Sequence, residues 1–203
     1  MFGLAVFLIF AILAFSWVAS KAAWNRREIL RRILGRIDGA FVSPGFWGRG
    51  LVHAVAGRHM GRGLTLRVST RPTVSQGMVY PMTAKLELHH APNISLRIRH
   101  DRGLAAVEKA AGLVRDLEVA GGGRFDKKYL VEADAAPAHS PLADENVRRA
   151  VDELLMRWDL DEVRIQNGQL VVKGDSRRLG QRMLRGLLEE LEVLAHAYDR
   201  RPA

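Results

Sequence analysis

The first twenty residues carry no charged side chain, and a strongly basic stretch follows at once. The run reads MFGLAVFLIFAILAFSWVAS, with Ser16 and Ser20 as its only hydroxyl side chains. At about 1.5 Å of rise per residue it makes a helix of about 30 Å, the thickness of the hydrocarbon layer of a bilayer. It has no polar stripe of the kind that marks the wet face of a soluble helix. The expectation is a transmembrane anchor over residues 1–24. A cleaved signal peptide is the competing reading, because Val18-Ala19-Ser20 has the small residues of a cleavage site. Against it, the run lacks a positive leading segment and exceeds the usual apolar core of such peptides.

The flanks orient the anchor. Lys21, Arg26, Arg27, Arg31, Arg32 and Arg36 follow the span, opposed by Glu28 and Asp38. Basic residues next to a span stay on the cytoplasmic side, so the expected topology is single-pass in the inner (plasma) membrane, N-terminus out and the rest cytoplasmic. Trp17 and Trp24 sit where indole rings favour the headgroup region. Together Trp17, Lys21, Trp24, Arg26, Arg27, Arg31, Arg32 and Arg36 form the expected membrane-interface set, with anionic lipid headgroups as partner over residues 21–38. No glycine pair in the span supports dimerisation through it.

The formal net charge of +9 is unevenly placed. From Lys21 to Arg67 ten basic residues face two acids, whereas the remainder holds twenty-one basic and twenty acidic residues. Basicity concentrated beside a span suits lipid headgroups. No basic-and-aromatic stacking pattern points to nucleic acid. The chain has no cysteine, which excludes disulfides, thiolate catalysis and Cys-based metal centres.

Residues 25–38 (NRREILRRILGRID) place Ile29, Leu30, Ile33, Leu34 and Ile37 on one helical arc, so a basic amphipathic helix on the inner leaflet is expected. Arg26 falls within that arc and must snorkel. The alternative is a helical extension packed on the domain. GAFVSPGFWGRG, residues 39–50, reads as a linker. Residues 51–200 read as one soluble α+β domain. LVHAVAGR and LTLRVST, split by the turn from His59 to Gly63, suggest a hairpin. VYPMTAKLELHH and NISLRIRH alternate as half-buried strands, with Ala91-Pro92-Asn93 suited to a turn between them. A helix is expected over residues 104–117, then a flexible break at Gly121-Gly122-Gly123, and a strand from Tyr129 to Ala133.

Ser140-Pro141 suits a helix start, with Ser as N-cap and Pro in the first turn. The helix after it has Val147, Val151, Leu154 and Trp158 on one stripe. VRIQ and QLVVKG flank Asn167-Gly168, a strong hairpin signal. Asp175-Ser176 can cap a final helix whose apolar set runs from Leu179 to Tyr198. The fold class is α+β: an N-terminal transmembrane helix, then a mainly antiparallel sheet packed with two or three helices.

Catalytic motifs are absent. Gly121-Gly122-Gly123-Arg124 lacks the Gly-Lys-Ser/Thr ending of a phosphate loop, and the glycines from Gly57 to Gly63 lie between strands, outside a dinucleotide-binding context. His53, His59, His89, His90, His100, His139 and His196 show no metal-ligand spacing, and His89 and His90 point to opposite faces of a strand. Asp152, Glu153, Asp159, Asp161 and Glu162 cluster in sequence around Trp158 and read as a solvated helix end. No cofactor or metal is expected.

Phe125-Asp126-Lys127-Lys128-Tyr129-Leu130-Val131-Glu132-Ala133-Asp134 stands out. With the anchor, the paired strands and the helix–hairpin–helix ending, it resembles uncharacterised bacterial membrane-anchored domains of unknown function. These carry an F-D-x-x-[FY]-x-V-x-x-D segment, matched at Phe125, Asp126, Tyr129, Val131 and Asp134. The resemblance implies a fold and a setting, with no activity attached. From the residues themselves, Phe125, Tyr129 and Val131 are expected in the core, and Asp126 as a cap or turn acceptor.

The functional expectation is a membrane-tethered cytoplasmic protein that binds a protein partner or organises a membrane complex without catalysis. The alternative is an enzyme acting on a lipid or membrane-linked substrate, with Asp126, Asp134 or His139 converging in space. A periplasmic domain is the third reading.

Overall fold

The computed structural model describes residues 7, 9–10, 12–14, 16–17, 21, 28–30, 34–44, 52–73, 77–90, 95–100, 123–133, 141–177 and 179–199. Strand β2 (Val52–His59) turns into β3 (Arg62–Ser69) through Met60-Gly61, whose φ values of 52° and 76° give the left-handed pair that a two-residue hairpin needs. β1 (Asp38–Pro44) pairs antiparallel with β2, bulged between Asp38 and Phe41. The segment expected as a linker thus begins as an edge strand: AFV has the β-propensity to pair, and β2 offers an open edge. A short β4 (Arg71–Thr73) folds back onto the start of β5 (Gly77–Glu87).

β5 pairs with β3 on one side and with β9 (Gln169–Ser176) on the other. β9 is joined to β8 (Glu162–Gln166) by Asn167-Gly168, both at positive φ, as the dipeptide predicts. β8 then pairs with β6 (Leu96–His100), and β6 with β7 (Tyr129–Ala133). The sheet order is β1-β2-β3-β5-β9-β8-β6-β7, antiparallel throughout. One expectation is corrected by this order. β5 and β6 do not form a hairpin; the late β8–β9 hairpin sits between them, its alternating Val163, Ile165, Leu170 and Val172 continuing the apolar face on both sides. Ala91, Pro92 and Asn93 themselves lie outside the described residues, as do residues 104–117.

Helices cover that apolar face. α1 (Gly123–Lys128) leads directly into β7. α2 (Glu145–Asp152) is capped by Asp144, whose carboxylate accepts from the Asn146 N–H at 2.8 Å. Pro141 starts only a single 3₁₀ turn (Pro141–Ala143), closed by Asp144 N–H to the Pro141 carbonyl, so the cap lies four residues later than Ser140. α2 continues through a π-helical turn (Glu153–Arg157). α3 (Gln181–Asp199) is 19 residues long, about 28 Å. Asp175 and Ser176 do not cap it, because both are taken into β9; the Gly180 carbonyl accepts the first intrahelical bond, from Leu184.

The core is one cluster. Leu64, Leu66, Val68, Ala84, Leu86, Ile98, Val131, Val163 and Val172 of the sheet meet Val147, Val151 and Leu154 of the α2 region and Leu184, Leu187, Leu191 and Leu194 of α3. Phe125, Tyr129 and Val131 are buried in it, as the FDxxY segment predicts. Leu30 and Ile37 also belong to this cluster, at 0% and 3% exposure. At those two positions the apolar arc packs on the domain. Arg36 follows, its carbonyl bonded to His59 Nδ1 at 3.0 Å and its guanidinium 3.3 Å from Glu189 of α3.

Among the described residues no helix is long and apolar enough to cross a membrane.

Candidate functional site: the polar face of the sheet

Side chains alternate along each strand, so the face opposite the helices collects the polar set. Pairing registers align it into rows. One row runs Thr65, Lys85, Val171, Arg164, Arg97, Glu132; the next runs Arg67, Thr83, Lys173, Glu162, Arg99. Glu162 is the hub. Its side chain is 5% exposed, and three cations converge on it: Arg97 at 2.7 Å, Arg164 at 3.0 Å and Lys173 at 3.3 Å. Burial alone pulls its carboxyl pKa upward, but the Arg97 hydrogen bond and charge, then Lys173 and Arg164, outweigh that and hold it below the usual carboxylate range. Glu132 joins the network through Arg99 at 2.8 Å and Arg97 at 3.4 Å.

Beside this network, over β3, β5 and β9, lies an open cleft of about 330 Å³. Its walls are Arg67, Ser69, Pro81, Thr83, Lys173 and Asp175, with Asp161 on the rim. Ser69 Oγ donates to the Pro81 carbonyl at 3.3 Å, and Asp175 is ion-paired with Arg71. Arg67 has no hydrogen-bond or ion-pair partner among the described residues. The arrangement can hold an anion or a polar ligand. It has no nucleophile set beside a base.

A second polar cluster lies within the FDxxY segment. Tyr129 Oη donates to Asp152 Oδ1 at 2.7 Å, and Lys128 Nζ donates to the same oxygen at 2.9 Å. Phe125 and His100 flank the Tyr129 ring, with centroids at 4.7 and 5.4 Å, and His100 Nε2 lies 3.2 Å from the Leu155 carbonyl. Burial and the Asp152 carboxylate both push the Tyr129 hydroxyl far above its ordinary value, so it stays a neutral donor. Asp152 is pulled up by burial and, more strongly overall, down by Tyr129, Lys128 and His100. The cluster pins the start of β7 to the end of α2. Tyr129→Phe is expected to cost about 1–2 kcal/mol, because it removes one hydrogen bond to a carboxylate that keeps Lys128. Asp152 is depressed in the folded state, so its contribution is complete above the ordinary carboxylate pKa and fades as pH falls through the folded value. Urea midpoints from pH 7 down to pH 3 check both points: the variant should lose less stability on acidification than the parent.

The carboxylates that cluster in sequence around Trp158 are dispersed in space. Asp152 serves Tyr129, Glu153 pairs with Arg157 at 2.7 Å, Asp159 with Arg177 at 3.3 Å, and Glu162 anchors the sheet network. Only Asp161 reaches the cleft. Trp158 packs on α3 where Gly186 leaves room, with Arg157 stacked 5.0 Å over its ring.

Of the histidines, His59 is buried, with Nε2 3.9 Å from Glu192, while His89, His90 and His196 are exposed. His53 lies in β2, and His139 and Asp134 lie outside the described residues. Asp126 is in α1 and does not line the cleft. Gly123 and Arg124 begin α1. Among the described residues no group of three or more His, Asp or Glu could hold a metal ion.

Of the membrane-interface set, Trp17 and Lys21 are described: both are exposed, and Lys21 Nζ lies 5.0 Å from the centre of the Trp17 ring. Arg36 is exposed and paired with Glu189. Trp24, Arg26, Arg27, Arg31 and Arg32 lie outside the described residues.

No protein-family model and no curated protein matches the chain. Among solved structures, the crystal structure of the mycobacterial trehalose monomycolate transport factor A is similar at a TM-score of 0.46 and 12% identity, over 89% of this chain and 97% of that one. A likeness at that level says nothing about what this chain binds.

The cleft and the Glu162 hub escape sequence reasoning. Alternation assigns Arg67, Thr83 and Lys173 to the wet faces of three strands, while Glu162 groups in sequence with the carboxylates around Trp158; their alignment in one row depends on the pairing of β5 with β3 and β9, which no local pattern specifies.

Proposed function

We propose that this chain is a membrane-tethered binding protein, anchored through residues 1–24, with its domain in the cytoplasm and the polar sheet face turned to a protein partner. One observation carries the reading. Of nine large apolar side chains exposed among the described residues, six lie between Phe7 and Trp17, within the uncharged run. Such a concentration of exposed apolar surface is the mark of a membrane or partner contact. The stacking of Lys21 on Trp17 suits the headgroup boundary that follows a span.

Tethering sets a working distance. Leu30 is buried in the domain core, only six Cα-to-Cα steps from Trp24 at the end of the anchor. Even fully extended, they span only about 20 Å. A partner is therefore met close to the headgroups. The Arg97, Arg99 and Arg164 side chains, each partly exposed around buried Glu162, supply a surface that an acidic partner fits.

Reporters fused after Ala203 test the topology, read together with alkaline carbonate extraction. A reporter active only in the cytoplasm should work, and the protein should stay in the membrane pellet. Activity of an export-dependent reporter, or release by carbonate, would overturn the reading. For the partner, photo-crosslinkers on the sheet face should capture a discrete protein that charge reversal at Arg97 and Arg164 removes. Capture no greater than from an anchor-only control would sink that part.

A further inference from the structure

The cleft over β3, β5 and β9 has features that a general docking face does not require. Arg67, Thr83 and Lys173 occupy one cross-strand row: Arg67 is the register partner of Thr83, and Thr83 of Lys173. Two strand spacings separate the cations, about 10 Å between their Cα atoms, with a hydroxyl midway. The Lys173 ammonium rests on the Glu162 side of the row, 3.3 Å from that carboxylate, but two long basic side chains at that separation can both reach over the central hydroxyl, which suits a single tetrahedral oxyanion.

Both cations are available to it. Arg67 is exposed and has no partner among the described residues. Lys173 is the outermost of the three cations on Glu162, at 3.3 Å and 47% exposed. Arg97 and Arg164, at 2.7 and 3.0 Å, already satisfy both Glu162 oxygens, so Lys173 can turn into the cleft without stripping that buried carboxylate. Within the row, Lys173 and Arg99 against Glu162 leave a net positive charge even before Arg67 is counted. The rim also limits the ligand. Asp161 on the rim opposes a second anionic group, and Asp175 in the wall, paired with Arg71 through Oδ2, keeps Oδ1 to accept from hydroxyl or ammonium donors.

We propose that the Arg67–Thr83–Lys173 row binds the phosphate of a phosphate ester, with Asp161 and Asp175 accepting from hydroxyl or ammonium groups on the alcohol side. The site does not depend on the anchor or on a protein partner. Two sources share this chemistry: a lipid headgroup and a water-soluble phosphate ester.

The test uses the full chain in non-ionic detergent micelles, with the Thr83 methyl and backbone amide followed by NMR. Inorganic phosphate and glycerol 3-phosphate are the soluble probes. Nanodiscs of phosphatidylglycerol, set against phosphatidylcholine alone, are the lipid probe. Glycerol 3-phosphate should shift Thr83 saturably and more tightly than inorganic phosphate. Arg67→Ala and Lys173→Ala should each weaken it at least five-fold, and Thr83→Val about two-fold. Lys85→Ala removes a charge from the adjacent row outside the cleft and should change affinity less than two-fold. A matching Thr83 shift in phosphatidylglycerol nanodiscs assigns the headgroup as source, and its absence there assigns the soluble ester. The proposal is overturned if no probe moves Thr83 at 10-millimolar ligand, or if Lys85→Ala weakens binding as much as Arg67→Ala, since binding would then follow the general field of the sheet.

Discussion

An Arg62→Ala variant is expected to lose about 3–5 kcal/mol of folding stability, the scale for stripping one partner from a buried ion pair. Arg62 opens β3 and reaches across to Asp199 at the end of α3, with Nε at 3.0 Å and Nη2 at 2.7 Å from the same oxygen. The two side chains are 4% and 11% exposed. The other Asp199 oxygen accepts the His90 backbone N–H at 3.1 Å. One carboxylate thus ties the β2–β3 hairpin, the segment after β5 and the last turn of α3 together. Without Arg62 it stays buried with one amide donor. Urea unfolding at pH 7 measures the loss, and a variant within 1 kcal/mol of the parent would show the pair to be dispensable.

The pH dependence has a fixed sign. Burial raises the Asp199 carboxyl, but Arg62, the His90 amide and the charge of His89 together depress it below its ordinary value. A depressed folded pKa means that the contribution is complete above the unfolded value and lost as pH falls through the folded one. The parent should therefore destabilise steeply on acidification, and Arg62→Ala should flatten that limb. Arg62→Met with Asp199→Leu should recover much of the loss, because a packed apolar pair replaces two charges and leaves only the His90 amide to find water.

This ion pair shows where sequence reading stops. The hairpin that carries Arg62 is legible from alternation and the glycine turn, and the helix that carries Asp199 from nine apolar positions at helical spacing. Their meeting across 137 residues is set by the sheet order, and no local signal encodes it. The same limit explains the misplaced β5–β6 turn. Local patterning marks strands and tight turns, while the β8–β9 hairpin is inserted by long-range pairing. It also explains Asp175-Ser176: a good cap by residue type, consumed instead by β9 because Asp175 and Ser176 complete the ladder to Pro81 and Tyr80. The FDxxY segment was more informative, since a helix passing straight into a strand buries Phe125, Tyr129 and Val131 together. Its polar partner, Asp152, lies 23 residues on, among the carboxylates around Trp158, and no local signal links it to Tyr129.

Gly174→Val is the other change expected to cost at least about 3 kcal/mol. Gly174 lies in β9 beneath the chain that leads into β8, where the Asp161 N–H donates to the Lys173 carbonyl at 3.0 Å. A Cβ at position 174 would strike the Asp161 backbone nitrogen and lie 2.7 Å from the Leu160 Cα. The obstacle is backbone, which no rotamer change can relieve. To fit a side chain, the crossing must lift, the Asp161 bond must break, and Leu160 must leave the core where it is 1% exposed. Gly186→Ala is the informative comparison, since its Cβ meets only the Trp158 ring, which can turn. It should cost less, about 1–3 kcal/mol, and leave the cleft intact. Gly174→Val should instead damage both stability and the cleft, because Asp161 and Lys173 line that cleft on either side of the lifted crossing. Urea midpoints together with the Thr83 shift on glycerol 3-phosphate separate the two variants. If Gly174→Val kept the parent midpoint, the crossing would have to be loose, and Asp161 could not be a fixed part of the rim.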